Sequence, residues 1–264
     1  MSCDREHYYA VQSFLDDDEL CKIWNIIEIA MNREGYDVSN AELSMRLYDN
    51  ELEELRSKVL SMGGLVEEHL SKVIETISSC NFEGAEEVAT SDYRVNAMEV
   101  EIDHICSTIL LTRAPAASDL RLVLSIFKTI NDLERIGDET EKIAKLVLNL
   151  KTPKAIDMYY AGILTMARAV RSMLRDSLNA FARTDSSAAL KIAESDKEID
   201  DGLDVVLRQL ITFTLEDSKA ISSVLDATLA ARALERIGDH NKNICENIIY
   251  LVEGIDIRNT TPEQ

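Results

Sequence analysis

Apolar residues along this chain step by three and four over long stretches, the spacing of an amphipathic helix rather than of a strand. Between Leu47 and Ser79, Leu52, Leu55, Val59, Met62, Val66, Leu70, Val73 and Ile77 form one continuous stripe and predict a single long helix. Cys80 to Gly84 reads as a turn. A second helix is predicted from about Ala85 to Thr112, stopping before Pro115, whose ring disfavours helix in the residue ahead of it. Ala114-Pro115-Ala116-Ala117-Ser118 reads as the next turn, with Ser118 as N-cap. A third helix runs to about Leu150, before Pro153. Residues 1–45 are less regular. There Leu20, Ile23, Trp24, Ile27, Ala30 and Met31 predict a short accessory helix, opened by Asp16-Asp17-Asp18-Glu19, where negative charge suits the dipole, and stopped by Gly35.

The pattern then starts again. Met62, Val66, Leu70 and Ile74 match Met166, Val170, Leu174 and Leu178 at a constant separation of 104 (166 − 62). Val88-Ala89-Thr90-Ser91-Asp92 matches Ile192-Ala193-Glu194-Ser195-Asp196 at the same separation. The hexapeptide Leu133-Glu134-Arg135-Ile136-Gly137-Asp138 recurs without change as Leu234-Glu235-Arg236-Ile237-Gly238-Asp239, now at 101 (235 − 134). The chain is therefore an internal duplication. Short turns between long helices make neighbours antiparallel. The expected fold is all-α: two tandem antiparallel three-helix bundles over residues 46–152 and 153–254, with an N-terminal extension at 1–45 and a tail at 255–264.

Composition narrows the partners. Hydrophobic residues make up 46% of the chain, ample for a core, and the net charge is −20. Phosphates repel such a surface, so nucleic acid is not an expected partner, and cations or basic protein surfaces are favoured. Cys3, Cys21, Cys80, Cys106 and Cys245 show no CxxC spacing, so neither a disulfide framework nor a zinc knuckle is expected. No apolar run is long enough to span a bilayer, and charged residues stand at Asp4, Arg5 and Glu6 in place of a signal peptide. These features predict a cytoplasmic protein.

The hexapeptide carries the candidate chemistry. Glu134 and Asp138, like Glu235 and Asp239, stand four apart and share a helix face. A second acidic pair precedes each: Glu99 and Asp103, and Asp200 and Asp204. Both copies separate the pairs by 35 residues (134 − 99; 235 − 200), which puts the three-residue difference between the copies before Glu99. Folding each hairpin about its midpoint, 118.5 or 219.5, faces Asp103 with Glu134 and Glu99 with Asp138. It likewise faces Asp204 with Glu235 and Asp200 with Asp239. Met62-Gly63-Gly64, matched by Met166-Ala167, falls at the same level and would leave room beside the acids. Four carboxylates held together repel one another, and a metal ion is the natural compensation. All-oxygen ligation selects hard or borderline cations such as Mg, Mn, Ca or iron. The competing reading is a solvated acidic face, with Arg135 or Arg236 simply paired to an acid. Glu101 and His104 resemble half of a di-iron motif that is not repeated, so His104, like His240, reads as an accessory ligand or a satisfied histidine.

Together these segments resemble the PhoU family of bacterial phosphate-uptake regulators. The resemblance rests on Leu55-Arg56 with Met62-Gly63-Gly64-Leu65-Val66-Glu67, on Ala116-Ala117-Ser118-Asp119-Leu120-Arg121, and on both hexapeptides with Asn243-Ile244-Cys245-Glu246. It covers roughly Leu47 to Gly254. It implies two three-helix bundles with multinuclear metal clusters of iron, Mn, Mg or Zn at Glu99, Asp103, Glu134 and Asp138, and at Asp200, Asp204, Glu235 and Asp239. It also implies regulation rather than catalysis. Such a protein is a homodimeric adaptor between a phosphate ABC transporter ATPase and a sensor histidine kinase, repressing the phosphate regulon when phosphate is plentiful. It reaches the membrane only through those partners. The alternatives are a carboxylate-bridged metal enzyme and a metal-free helical scaffold.

Overall fold

The computed structural model describes residues 38–149, 156, 158–216 and 220–257, with side chains from residue 45. The predicted Leu20–Met31 helix, Cys3, Cys21, Pro153 and most of the C-terminal tail lie outside the described residues. The chain divides into two compact units, residues 1–54 and 55–264. The second holds both repeats apart from residues 46–54 of the first.

Among the described residues every regular element is an α-helix: α1 Val38–Ser79, α2 Glu83–Ser91, α3 Tyr93–Arg113, α4 Ala117–Asn149, α5 Ala161–Arg183, α6 Ser186–Glu194, α7 Asp196–Glu216 and α8 Ile221–Glu253. The stripe on α1 is buried at all eight predicted positions. Each large apolar side chain removed from water in this way contributes about 1.5–3 kcal/mol, which is what holds helices this long in one bundle.

The middle leg of each bundle is two helices, not the single one predicted from Ala85 to Thr112. It breaks at Asp92 in the first repeat and at Ser195 in the second. Short polar side chains stand at both breaks and bond to nearby backbone carbonyls. Thr90 Oγ1 donates to the Glu86 carbonyl at 3.1 Å, and Ser195 Oγ donates to the Ile192 carbonyl at 2.7 Å.

The hairpin turn also differs from expectation. Ala114 takes a left-handed conformation (φ 44°) ahead of Pro115, and α4 begins at Ala117, so Ser118 lies inside the helix rather than capping it. The turn is centred near Pro115, about three residues before the predicted midpoint. The matching turn residues Asp217, Ser218 and Lys219 lie outside the described residues.

Helices α4 and α8 make an extensive contact that joins the repeats. They run antiparallel: Asp132 meets Asn243 and Glu139 meets Arg236. Gly254 (φ 73°) ends α8, its N–H donating to the Tyr250 carbonyl at 2.9 Å. On the other side α1 meets α5, where Arg175 Nη2 lies 2.7 Å from Glu67 Oε1. Gly63 packs against the Leu178 side chain there, leaving no room for a Cβ. The expectation that Gly63 makes space beside the acidic cluster is therefore corrected: its small size serves the contact between repeats. Cys106 and Cys245 are buried free thiols, pushed up to about 12 by desolvation.

Candidate metal centre

The two hexapeptides lie mid-way along α4 and α8, with Leu133, Ile136, Leu234 and Ile237 in the core. That burial turns Glu134, Asp138, Glu235 and Asp239 along the flank of each bundle, toward α3 and α7. The glycine between the acids lets the facing helix come close. A Cβ on Gly137 would stand 3.4 Å from Asp92 Oδ1 and 3.3 Å from a methyl of Val95. A Cβ on Gly238 would stand 3.0 Å from Asp196 Oδ1 and 3.1 Å from Ile199 Cδ1.

These contacts set the register. Asp92 lies opposite Gly137-Asp138 and Asp196 opposite Gly238-Asp239. Glu134 accordingly feels the charges of Asp138, Glu99 and Asp92, and Glu235 those of Asp239 and Asp200. The predicted pairings are thus displaced by one helical turn: Glu99 meets Glu134 rather than Asp138, and Asp200 meets Glu235 rather than Asp239. Asp103 and Asp204 fall one turn further toward the hairpin tips. The displacement follows directly from the turn at Pro115.

Asp92 and Asp196 are therefore members of the clusters that spacing alone missed. Their signal was the recurring Ser-Asp at Ser91-Asp92 and Ser195-Asp196, which close the α2–α3 and α6–α7 breaks. Asn96 joins the first cluster, its Nδ2 donating to Asp92 Oδ2 at 3.1 Å. Seven residues separate Asp92 from Glu99 but only four separate Asp196 from Asp200. Both spacings keep the acids on one helix face, so a three-residue difference removes a turn without rotating the site.

Electrostatics make both clusters costly as they stand. Burial raises the pKa of Asp92, and the charges of Asp138 and Glu141 raise it further against the Asn96 hydrogen bond and Lys145. Burial likewise raises Glu134, with Asp138, Glu99 and Asp92 adding to it. Asp196 and Glu235 are raised first by burial and then by the acids beside them, against Lys242 and against Arg236 and Arg232 respectively. Asp92 Oδ1, Asn96 Oδ1 and Asp196 Oδ1 are shielded from solvent with no hydrogen-bond donor. An uncompensated buried acceptor costs about 1–3 kcal/mol. Among the described residues no three acidic, His or Cys side chains already converge as ligands, so a cation would require the half-exposed carboxylates to turn inward.

The competing roles of the neighbours are visible too. Arg135 stays on its own helix, 3.5 Å from Glu134 and 3.9 Å from Asp138, and is largely exposed. Such pairs contribute little. Arg236 instead reaches Glu139 of the other repeat at 2.9 Å. His104 is exposed and Glu101 pairs with Lys58 at 2.7 Å, so that motif gathers no site. His240 faces away from its hexapeptide acids, its Nδ1 3.0 Å from Asp132 Oδ1 of the first repeat.

The duplication agrees with comparison to known proteins. The PhoU domain profile matches residues 59–147 and 163–248. The chain belongs to the PhoU family. The phosphate-specific transport system accessory protein PhoU homolog of Pseudomonas putida is 46% identical over 211 residues, spanning 80% of this chain and 82% of the relative. The PhoU accessory protein of Escherichia coli K12 is 44% identical over the same share of this chain and 87% of its own. The crystal structure of PhoU from Pseudomonas aeruginosa superposes with a TM-score of 0.75 at 42% identity, covering 79% of this chain and 100% of that one. PhoU from Streptococcus pneumoniae gives 0.73 at 34% identity, covering 80% and 99%. The fold expected from periodicity is thus the PhoU fold. Among the described residues no helix is long and apolar enough to cross a membrane.

Proposed function

We propose that this chain is the accessory regulator of a phosphate transport system, acting as an adaptor between the transporter ATPase and a sensor histidine kinase. In that role it represses the phosphate-starvation response when phosphate is plentiful. The family membership and the names of its relatives support the transport assignment. Deleting the gene should derepress alkaline phosphatase in high phosphate, and repression should return with the plasmid-borne gene. Unchanged repression in the deletion strain would reject the reading.

We further propose that the two clusters bind metal ions. The observation that carries this is the orphaned, shielded carboxylate oxygens of Asp92 and Asp196, each pressed against a hexapeptide glycine. Such atoms fit a cation: hard oxygen donors with no proton donor in reach, beside carboxylates whose ionisation burial opposes. Asp92, Glu99, Glu134 and Asp138 would hold one site, and Asp196, Asp200, Glu235 and Asp239 the other. A bound ion supplies positive charge, cross-linking α3 to α4 and α7 to α8. The protein's own part is to fix the helix pair at a close spacing that glycine favours. This is a structural and signalling role, in keeping with a family named for transport accessory proteins rather than for an enzyme.

A further inference from the structure

The two clusters differ by two charges, a glutamate in one matched to a lysine in the other, as well as by one helical turn. In the second, Lys242 Nζ lies 3.4 Å from Asp196 Oδ2. Asp196 is only 3% exposed, and its other oxygen has no partner. Lys242 stands three residues after the hexapeptide aspartate. The residue three after Asp138 is Glu141, whose charge adds to the repulsion on Asp92. The cation acting on Asp92, Lys145, is paired with Glu141 on its own helix, and Lys142 with Glu139. The first cluster therefore gathers Asp92, Glu99, Glu134, Asp138 and Glu141 without an internal ammonium bonded to Asp92. The second gathers Asp196, Asp200, Glu235 and Asp239, with an ammonium bonded to Asp196.

We infer that the two sites are inequivalent: the Lys242 ammonium is a resident cation of the second site that an incoming metal ion must displace, whereas the first site depends on a metal ion from solution. This rests on the reading of the clusters as metal sites. The Lys242 side chain is 45% exposed, so its head can swing into water when a metal arrives, at the loss of its contact with Asp196. The first site loses no such contact on filling. Its extra helical turn also brings in the Asn96 side-chain carbonyl oxygen, a neutral ligand atom. Metal should therefore fill the repeats in order, first repeat first.

The test is calorimetric titration of the chelator-treated full chain with Mn2+, with bound metal counted after dialysis. The wild type should show a tight and a weak class. Asp92→Asn should remove the tight class. Lys242→Met, which deletes the ammonium and keeps the stem, should tighten the weak class about tenfold or more, the scale of one partly screened charge pair, and leave the tight class in place. The mirror variant Glu141→Lys should weaken the tight class. Two readouts without metal accompany these. Apo Lys242→Met should melt below wild type, because Asp196 loses its only cation, and Mn2+ should restore it. Apo Glu141→Lys should melt no lower than wild type. Equal affinities in wild type and Lys242→Met would overturn the inference while leaving the metal sites standing. No Mn2+ bound by any of the proteins would overturn both.

Discussion

His240 Nδ1 of the second repeat lies 3.0 Å from Asp132 Oδ1 of the first, across the α4–α8 contact. With its proton on Nδ1 the imidazole donates to the carboxylate. Asn243 Nδ2 donates to the same oxygen at 3.1 Å, and Asn247 Nδ2 lies 3.4 Å from the other. One half-buried carboxylate thus gathers three donors from the opposite repeat, in the positions just before and after the two hexapeptides. The carboxylate clusters lie on the same stretch of α4 and α8 that this polar seam pins together.

Removing that acceptor should loosen the pair of repeats. Asp132→Ala leaves the buried Asn247 amide and its neighbours without their partner, and is expected to cost about 2–3 kcal/mol. Asp132→Asn should cost less, since it keeps one acceptor oxygen. Urea unfolding of the two variants beside wild type measures the difference.

Gly63 makes the corresponding contact between α1 and α5. Gly63→Val drives a branched side chain into Leu178 and should destabilise by about 2 kcal/mol. In the double variant with Leu178→Ala the two losses should not add, because the same space is then vacated. A thermal-denaturation double-mutant cycle reads the coupling.

His69 should set a pH dependence of stability. It is 2% exposed, with Nε2 3.3 Å from Ser91 Oγ, next to the break that carries Asp92. Burial lowers its pKa, and Lys72 and Arg94 lower it further, against the weaker pull of Glu68 and Glu87. The unfolded chain therefore takes up the proton first as pH falls. Stability is full above the ordinary imidazole value of about 6.5 and is lost as pH falls through the lowered folded value. The second repeat carries Met173 at the matching place (173 − 69 = 104). His69→Met should flatten the decline in melting temperature between about pH 7.5 and 5.

The helices were legible because burial is periodic: α1 keeps its predicted stripe from Leu52 to Ile77. The duplication and the hexapeptides were legible as repeated letters. The register between helices was not, because it depends on where a turn is centred. Folding the hairpin about 118.5 sets the centre about three residues, nearly one helical turn, beyond the turn at Pro115, and so exchanges the partners of Glu99. Asp92 and Asp196 escaped a search for acids four apart because they close helix breaks, and the second repeat lacks the turn that separates Asp92 from Glu99. Lys242 lies outside the hexapeptide, and only the packing of α8 on α7 brings it to Asp196. Level along the bundle puts Gly63 beside the acids, but its direction around the helix points it at α5.

Gly238 tests the site apart from the scaffold. In Gly238→Ala the added methyl crowds Asp196 Oδ1, while the helix gains about 1 kcal/mol of propensity. Melting temperature of the metal-free protein should change little, and Mn2+ affinity of the second site should fall. Equal affinity would mean that the close approach of α7 serves packing alone.

The most direct test of the account is elemental analysis of the purified protein beside the Asp138→Ala/Asp239→Ala double variant, both prepared without chelator. The two carboxylate sites predict bound metal in the wild type and its loss in the variant. Equal metal content in the two proteins, or metal-free protein from both, would contradict the account.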